Sequence, residues 1–207
     1  MLDFGGNQFE ALPLPGGDLA FAPSCDLGAA PQALMERLLS ETPWREESIT
    51  VFGKTHLQPR LVAWYGDSGA SYNYSGIDHD PLPWTPTLSD LRDRVADLTQ
   101  SRYNSVLLNL YRNERDSMGM HADDEPELGK EPVIASISLG EERRICFQHR
   151  HRRDLKNLNL PLPSGSLLVM RGATQQNWKH GLRKLNRRCG PRINLTFRWV
   201  HPNGTAS

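Results

Sequence analysis

Hydrophobic and polar positions alternate most regularly in two stretches in the second half of the chain. Residues 192–200 set four apolar side chains against four polar ones: Ile193, Leu195, Phe197 and Trp199 against Arg192, Asn194, Thr196 and Arg198. Residues 104–111 alternate similarly, with Val106, Leu108 and Leu110 against Leu107, Asn109 and Tyr111. Since successive side chains of a strand point to opposite faces, both stretches are predicted to be strands, and Asn109 and Tyr111 are expected to share a face.

Two earlier segments repeat their apolar residues at helical spacing instead. The first runs from Pro31 to Ser40 and ends before Pro43, with apolar positions Leu34, Met35, Leu38 and Leu39. In the second, Thr87 and Asp90 resemble a capping box at the start of the helix. Its apolar stripe is Leu88, Leu91, Val95 and Leu98. We expect these helices to buttress a sheet.

Further short strands are predicted between turns rich in glycine, proline or charge. They cover residues 48–53, 60–65, 133–139, 144–148 and 166–170. Many short strands after two helices indicate a mainly β (α+β) fold, a jelly roll or double-stranded β-helix buttressed by the N-terminal helices.

Length and composition favour a single domain. The chain has 207 residues and is 38% hydrophobic, which is enough for one well-packed core. Residues 1–30, rich in Gly, Pro and Ala, are expected to form a loosely ordered arm with a short strand near 18–22. Residues 31–207 are expected to form the domain, with the helices and first strands in 31–101 and the jelly-roll core in 102–207.

Charge and cysteine content restrict the class of protein only loosely. The net charge is zero, so it neither supports nor excludes a nucleic-acid partner. Cys25, Cys146 and Cys189 are an odd, widely spaced set without a CxxC pair, which fits a reducing compartment. No Lys or Arg precedes Arg37 and no apolar run approaches membrane-spanning length. We therefore expect a cytoplasmic protein without a membrane partner.

A candidate metal site begins with His121 and Asp123, which stand two residues apart. On an extended segment such residues point to the same side, so they can bind one ion together. His180 is the best candidate for a third ligand, and two histidines with one carboxylate suit iron(II) oxygenases. The alternative is that a His-x-Asp arises by chance among the seven histidines of the chain.

A closed zinc site is a second alternative for the same residues. It would need a fourth protein ligand. His149, His151 and Cys189 are available, but none has a spacing that favours the role.

The polar face of residues 192–198 contains a second candidate binding site, for a dicarboxylate. Arg192 and Arg198 could each hold one carboxylate of a small dicarboxylate if their side chains lean towards each other. A solvated strand face would explain the same pattern.

Several segments together resemble one known family. The most specific are HADDE at 121–125, the distal His180 and PRINLTFR at 191–198. Weaker matches are VFGK at 51–54, PRLVAWYGD at 59–67, YNYSG at 72–76 and LNLYRNE at 108–114. From about Val51 onward the chain resembles the AlkB-like nucleic-acid dealkylases, which use iron and 2-oxoglutarate.

This resemblance implies a complete set of site residues and a reaction. The implied iron ligands, and thus the catalytic residues, are His121, Asp123 and His180. The residues implied to hold 2-oxoglutarate are Asn109, Tyr111, Arg192, Asn194 and Arg198. With Fe(II) and O2, such a dioxygenase converts 2-oxoglutarate to succinate and CO2 and hydroxylates an N-alkyl carbon, which leaves as an aldehyde such as formaldehyde. The resemblance also implies oxidative repair of 1-methyladenine and 3-methylcytosine in DNA. It further implies that residues 31–101 contain the strands that recognise the nucleotide.

Five residues are candidates for contact with the alkylated base. Tyr72 and Tyr74 could stack on a flipped base, and Asp124 and Glu125 could favour a cationic methylated base over a neutral one. Phe52 resembles an intercalating residue of a family member that repairs duplex DNA. Ordinary strand tyrosines and a buried hairpin phenylalanine are the alternatives.

Strand preference stays open at this point. Phe52 resembles a residue of a member that acts on duplex DNA. By contrast, three segments are more similar to those of a member that prefers single strands and also accepts RNA: YRNERDS, DDEPELG and RGATQ.

Two basic clusters flank the distal histidine. Residues 143–156 contain six Lys or Arg, and residues 179–198 contain seven without an acid. A solvated surface or a phosphate-binding track would explain them. We expect a monomer acting on alkylated DNA, with RNA as an alternative substrate. A protein-directed oxygenase and a non-enzymatic jelly-roll nucleic-acid-binding protein are the other functional alternatives.

Overall fold

The computed structural model describes residues 2–4, 7–51, 54–70, 72–74 and 77–201, with the backbone alone at 2–4, 7–8, 49–51, 54, 72–74 and 77–79. The helices of this part are α1 Pro31–Glu41, α2 Pro86–Thr99 and α3 Thr174–Asn177. Its strands are β1 Leu2–Phe4, β2 Asn7–Leu12, β3 Asp18–Ala22, β4 Arg45–Val51, β5 Lys54–Gly66, β6 Tyr72–Tyr74, β7 Ile77–His79, β8 Ser105–Tyr111, β9 Met118–His121, β10 Ile134–Gly140, β11 Arg143–His149, β12 Leu158–Leu162, β13 Ser166–Arg171, β14 Trp178–Leu182 and β15 Arg192–Arg198.

Two antiparallel sheets form the body of the fold. Within the described ranges, the major sheet has nine strands in the order β1, β2, β3, β13, β10, β15, β8, β5, β4. The minor sheet has four, in the order β12, β11, β14, β9, and β6 pairs with β7 in a separate hairpin. Apolar side chains of both sheets, such as Met170 and Phe147, meet in one buried cluster. The predicted jelly roll is confirmed.

Strand β15 lies in the middle of the major sheet and is buried on both faces. Its apolar residues pack in one core cluster with Leu38 of α1 and Leu91 of α2, so the helices buttress the sheet as predicted. Its polar residues face the minor sheet and are also buried. The predicted alternation is confirmed up to Arg198, where the strand ends, and Trp199 beyond it is 37% exposed.

Both predicted helices are present, but the start of the second differs from the prediction. Helix α2 begins at Pro86, and the side chain of Thr85 accepts a hydrogen bond from the backbone N–H of Leu88 at 3.3 Å. Thr87 lies inside the helix and donates to Glu41 Oε1 at 2.7 Å. The predicted capping box of Thr87 and Asp90 is therefore wrong, because Thr85 supplies the cap and proline is favoured in the first turn. Among the described residues, every helix is too short or too polar for a membrane span.

The N-terminal segment is more closely integrated than its composition suggests. The strand predicted near 18–22 is confirmed as β3, which pairs with β13 and buries Leu19, Ala20, Phe21 and Ala22. Within residues 1–30, this strand is an internal strand of the major sheet. The glycines and prolines of residues 13–17 are confined to one turn, and an average over 1–30 conceals the apolar run after it.

Removing a buried side chain from β3 measures how much this segment stabilises the fold. Leu19 is 1% exposed, so Leu19→Ala should lower the free energy of unfolding by about 3 kcal/mol, because a cavity adds to the lost transfer energy. The half-exposed Leu39 on α1 is the control, and Leu39→Ala should change it by less than about 0.5 kcal/mol. Urea unfolding of the full chain is the measurement. Equal stability of the two variants would contradict the integration of β3.

Candidate metal centre

Three side chains, from two neighbouring strands of the minor sheet and the segment after one of them, converge at one point. His121 ends β9, Asp123 follows two residues later, and His180 lies in β14 directly opposite His121. Their potential ligand atoms all lie within 4.8 Å of one another. Asp123 Oδ1 is 3.6 Å from His121 Nε2, and Asp123 Oδ2 is 3.9 Å from His180 Nε2. The structure thus brings together the three residues predicted as ligands.

A local irregularity in β14 sets the position of His180. The register with β9 shifts between His180 and Leu182. A Cβ atom on Gly181 would lie 2.9 Å from the carbonyl oxygens of Met118 and Gly119, so only glycine lets β9 approach this closely. Strand β14 was not predicted from the sequence, because WKHGL lacks regular alternation.

The hydrogen bonds around the three side chains leave the expected ligand atoms available. His121 Nδ1 lies 2.9 Å from the carbonyl oxygen of Gly119, which can only accept, so Nδ1 donates and Nε2 is the ring nitrogen that faces Asp123 Oδ1 at 3.6 Å. Asp123 Oδ2 is buried and has no hydrogen-bond partner among the described residues. A buried carboxylate oxygen without a partner is costly, and a cation at this point would satisfy it.

Electrostatics hold the donors in the protonation states that a metal requires. Burial alone would raise the pKa of Asp123, but the charges of Arg198, His180 and His121 outweigh it and lower the pKa to about 2. Burial, reinforced by His121, lowers the pKa of His180 to about 3. At neutral pH the site therefore presents an ionised carboxylate and a neutral imidazole.

A closed zinc site finds no fourth protein ligand in the described part of the chain. His121, Asp123 and His180 form the one group there with three or more potential metal donors in reach of each other. His149 Nδ1 instead accepts backbone hydrogen bonds from His151 and Arg152 at 3.1 and 2.9 Å. Two nitrogen donors and one oxygen donor leave the remaining coordination positions open, as in iron(II) oxygenases.

The five residues predicted to hold a dicarboxylate surround the same cavity as the metal donors. They lie on adjacent strands, with Asn109 opposite Asn194 and Tyr111 opposite Arg192. All are buried and line one cavity: Asn109, Tyr111, Arg192, Asn194 and Arg198. The predicted shared face of Asn109 and Tyr111 is confirmed, and a solvated face on β15 is excluded.

Arg192 is a buried cation without a carboxylate partner among the described residues. Its side chain donates to Ser138 Oγ at 2.8 Å, and its guanidinium carbon lies 5.4 Å from the centroid of the Tyr111 ring. No carboxylate of the described residues pairs with it. Burial lowers the pKa of Arg192 to about 10, so it remains charged at neutral pH. An anionic ligand in the cavity would compensate this charge.

Arg198 already has a carboxylate partner within the protein. Its Nη2 donates to Asp123 Oδ1 at 2.9 Å in the interior. This arginine therefore orients the Asp123 carboxylate and compensates its negative charge.

Sequence reasoning missed two buried arginines near the cavity. Arg60 on β5 donates from Nε to Asn109 Oδ1 at 2.7 Å, which orients the Asn109 amide. Arg143 donates to the carbonyl oxygens of Asp116 and Arg183 at 3.1 and 2.5 Å and thereby joins the loops after β8 and β14. A signal for Arg60 existed, since it is a single charge in the otherwise apolar run 60–65.

The two basic clusters divide into buried and exposed members. Arg143, Arg192 and Arg198 are 2%, 2% and 8% exposed, so they cannot belong to a surface phosphate track. Exposed basic residues remain in both clusters: Arg144, Arg150, Arg152, Arg153, Lys156, Lys179, Arg183, Lys184, Arg187 and Arg188.

The residues predicted to face a substrate have different positions. Phe52 lies outside the described residues. Tyr72 and Tyr74 lie in the β6–β7 hairpin, where the backbone alone is described. Asp124 pairs with Arg150 Nη1 at 2.5 Å. Glu125 is half-buried, and its Oε2 atom has no hydrogen-bond partner among the described residues.

Removing the carboxylate donor should abolish tight metal binding. Asp123→Ala deletes one of three donors and the carboxylate to which Arg198 donates, so the dissociation constant for Co(II) should rise more than about a hundredfold. Calorimetric titration of the metal-free chain measures it. His151→Ala, at an exposed histidine outside the group, is the control and should bind Co(II) as the unmodified chain does. Unchanged affinity of Asp123→Ala would refute the ligand assignment.

Comparison with known proteins agrees with this geometry. Residues 28–198 match the 2OG-Fe(II) oxygenase superfamily. The chain is 40% identical to human "Alpha-ketoglutarate-dependent dioxygenase alkB homolog 3" over 178 residues, which is 82% of this chain and 62% of the relative. It is 43% identical to mouse "DNA oxidative demethylase ALKBH2" over 160 residues, which is 74% of this chain and 67% of the relative.

A solved structure shows the same fold at low sequence identity. "The structure of OsALKBH1" superposes with a TM-score of 0.63 at 16% identity, covering 90% of this chain and 99% of that one. The chain spans less than two thirds of the length of the human relative. With the family match covering both metal-bearing strands and the cavity, the chain belongs to the 2OG-Fe(II) oxygenase superfamily and, within it, to the AlkB-like oxygenases.

Proposed function

We propose that this chain is an Fe(II)- and 2-oxoglutarate-dependent dioxygenase that removes alkyl groups from nucleobases in DNA, with 1-methyladenine and 3-methylcytosine as its principal substrates. Its main support is the single cavity that contains three metal donors and the buried, carboxylate-free Arg192. The relatives' names, an alpha-ketoglutarate-dependent dioxygenase and a DNA oxidative demethylase, point to the same chemistry.

Different residues would bind the iron and the 2-oxoglutarate. Iron with 2-oxoglutarate and O2 supplies the oxidising chemistry that hydroxylates an N-alkyl carbon, with succinate and CO2 as co-products. His121, Asp123 and His180 would hold the iron, because their donors converge and because Asp123 and His180 are in the required protonation states. Arg192 would hold the remote carboxylate of 2-oxoglutarate as a charge-assisted partner.

Neutral hydrogen-bonding groups complete the binding of the dicarboxylate. Burial raises the pKa of Tyr111, so its hydroxyl keeps its proton at neutral pH and can donate to a carboxylate. The amide of Asn194 donates to Ser136 Oγ at 2.7 Å, and Arg60 orients Asn109. These bonds fix the polar side chains before any ligand enters, which lowers the ordering cost of binding.

The residues proposed to contact the substrate would favour a positively charged base. A base alkylated at a ring nitrogen of its pairing edge is cationic, and the buried, unpartnered Glu125 Oε2 offers it a negative atom. Tyr72 and Tyr74 would stack on the flipped base, and Phe52 would fill the gap in the strand. Asp124 would act together with Arg150, to which it is paired.

The exposed basic residues would position the nucleic acid through its phosphates. Lys179 on β14 and the loop 183–188 lie close in sequence to His180, so they can guide a strand towards the cavity.

Two further features of the proposal concern assembly and location. The protein would act as a monomer, since the large apolar side chains exposed in the described residues, Leu39, Leu57 and Trp199, are few. It would act in the cytoplasm, where its free cysteines Cys25, Cys146 and Cys189 remain reduced.

Turnover assays test the proposed reaction directly. Purified protein with Fe(II), ascorbate and 2-oxoglutarate should release succinate faster when a 1-methyladenine oligodeoxynucleotide is present, and the oligonucleotide should lose its methyl group as formaldehyde. Single-stranded DNA, duplex DNA and RNA of the same sequence should be compared, and DNA should be the best substrate. Turnover that ignores every methylated oligonucleotide would contradict the substrate assignment, and absence of turnover in metal-loaded protein would contradict the enzyme assignment.

Neutralising the buried cation should weaken 2-oxoglutarate binding specifically. Arg192→Met should raise the KM for 2-oxoglutarate at least about thirtyfold, as expected when one partner of a buried ion pair worth about 2 kcal/mol is lost. Affinity for Co(II) alone should remain unchanged, because Arg192 is not among the metal donors. Arg144→Met, at an exposed arginine of β11, is the control and should not alter the KM. An unchanged KM in Arg192→Met would place the carboxylate elsewhere.

A further inference from the structure

Gln175 is a buried amide in contact with the backbone of the candidate carboxylate ligand. Its side-chain Oε1 accepts a hydrogen bond from the backbone N–H of Asp123 at 3.0 Å, and the residue is 1% exposed. Strand β9 ends at His121, so the N–H of Asp123 lies beyond the β9–β14 pairing. The peptide that carries the ligand is therefore held by a side chain from another element.

The turn that carries Gln175 is itself anchored to the N-terminal part of the chain. Asn177 Nδ2 donates to the carbonyl oxygen of Gly16 at 2.7 Å, and Trp178 Nε1 donates to that of Pro15 at 3.0 Å. Thr174 Oγ1 accepts from the backbone N–H of Asp18 at 2.8 Å. Helix α3 is thus fixed before and after Gln175, which makes the amide a rigid reference point.

A second connection, through the exposed Arg150, joins helix α3 to the segment of Asp123 and Asp124. Arg150 Nη1 donates to the backbone carbonyl of Gln175 at 3.1 Å and to Asp124 Oδ2 at 2.5 Å. Helix α3 leads directly into β14, which carries His180. One short turn therefore connects the segment of Asp123 with the strand of the second histidine.

The other contact of the Gln175 side chain does not explain why an amide is buried here. Its Nε2 atom lies 3.5 Å from Met170 Sδ, a weak acceptor that imposes little direction. The directional bond is the one to Asp123. Without it, the bond from Arg198 would be the directional contact that still orients Asp123 among the described residues, since His121 and His180 lie 3.6 and 3.9 Å from its oxygens.

We propose that Gln175 is a positioning residue that aligns Asp123 for metal binding by holding its peptide N–H. This inference rests on the proposed iron-dependent function, and it adds a residue that touches neither the metal donors' ligand atoms nor the cavity. Partners of metal ligands commonly contribute ten- to a hundredfold to metal affinity because they orient the ligand.

Co(II) binding to the full-length chain, without cosubstrate or nucleic acid, tests the role of Gln175. In Gln175→Leu, which has a similar volume and no acceptor, the dissociation constant should rise about tenfold and the visible absorption bands of bound Co(II) should shift. Gln175→Glu retains an acceptor oxygen at the same reach and should restore both affinity and bands. If Gln175→Leu does not fold, Gln175→Asn withdraws the acceptor by one methylene group and should show the same loss.

The neighbouring residue provides a matched control. Gln176 is exposed and donates to the carbonyl oxygen of Lys130 at 2.7 Å, away from Asp123, so Gln176→Leu should bind Co(II) like the unmodified chain. Unchanged affinity and bands in Gln175→Leu, an equal loss in Gln176→Leu, or failure of Gln175→Glu to restore binding would each overturn the inference.

The outcome is separable from that of the proposed function. Metal titration does not depend on the substrate, so the comparison remains valid even if methylated DNA is not turned over. Conversely, normal turnover and normal Co(II) binding in Gln175→Leu would refute the positioning role and leave the proposed function intact.

Discussion

The buried Asp123 carboxylate is the point on which the rest of the site depends. Burial opposes its ionisation, and it stays charged because Arg198 donates to Oδ1, with His121 beside the same oxygen and His180 beside Oδ2. These partners come from β15, β14 and β9, so the carboxylate is stable only when both sheets are in place. Folding and construction of the metal site are therefore one process, as is usual for donors brought together from distant segments.

Strand β15 shows how the fold encloses a polar cavity. Its apolar face packs under the two long helices, and its polar face closes the space between the sheets. A buried polar face is costly unless each group is satisfied, and serines of β10 meet part of this demand through bonds to Arg192 and Asn194. The charge of Arg192 is not neutralised within the described residues, and this makes the cavity suited to a dicarboxylate.

Support for the site extends to the beginning of the chain. The turn at residues 13–18 holds helix α3, and helix α3 holds both the peptide of Asp123 and the start of β14. This arrangement explains why a segment rich in glycine and proline is packed against the domain. Close packing of this kind transmits small shifts, so changes far from the cavity can alter the metal donors.

The sequence by itself determined the two long helices, most strands of the core, the three candidate metal donors and the two faces of β15. These features depend on local periodicity or on motifs read in order along the chain, so neighbouring residues suffice to define them. Only the tertiary structure decided which charges of the basic clusters are buried, where Arg60 and Gln175 make their bonds, and that β14 exists. Burial and long-range partners depend on residues up to about 160 positions apart, such as Pro15 and Trp178, whose contact no local pattern encodes.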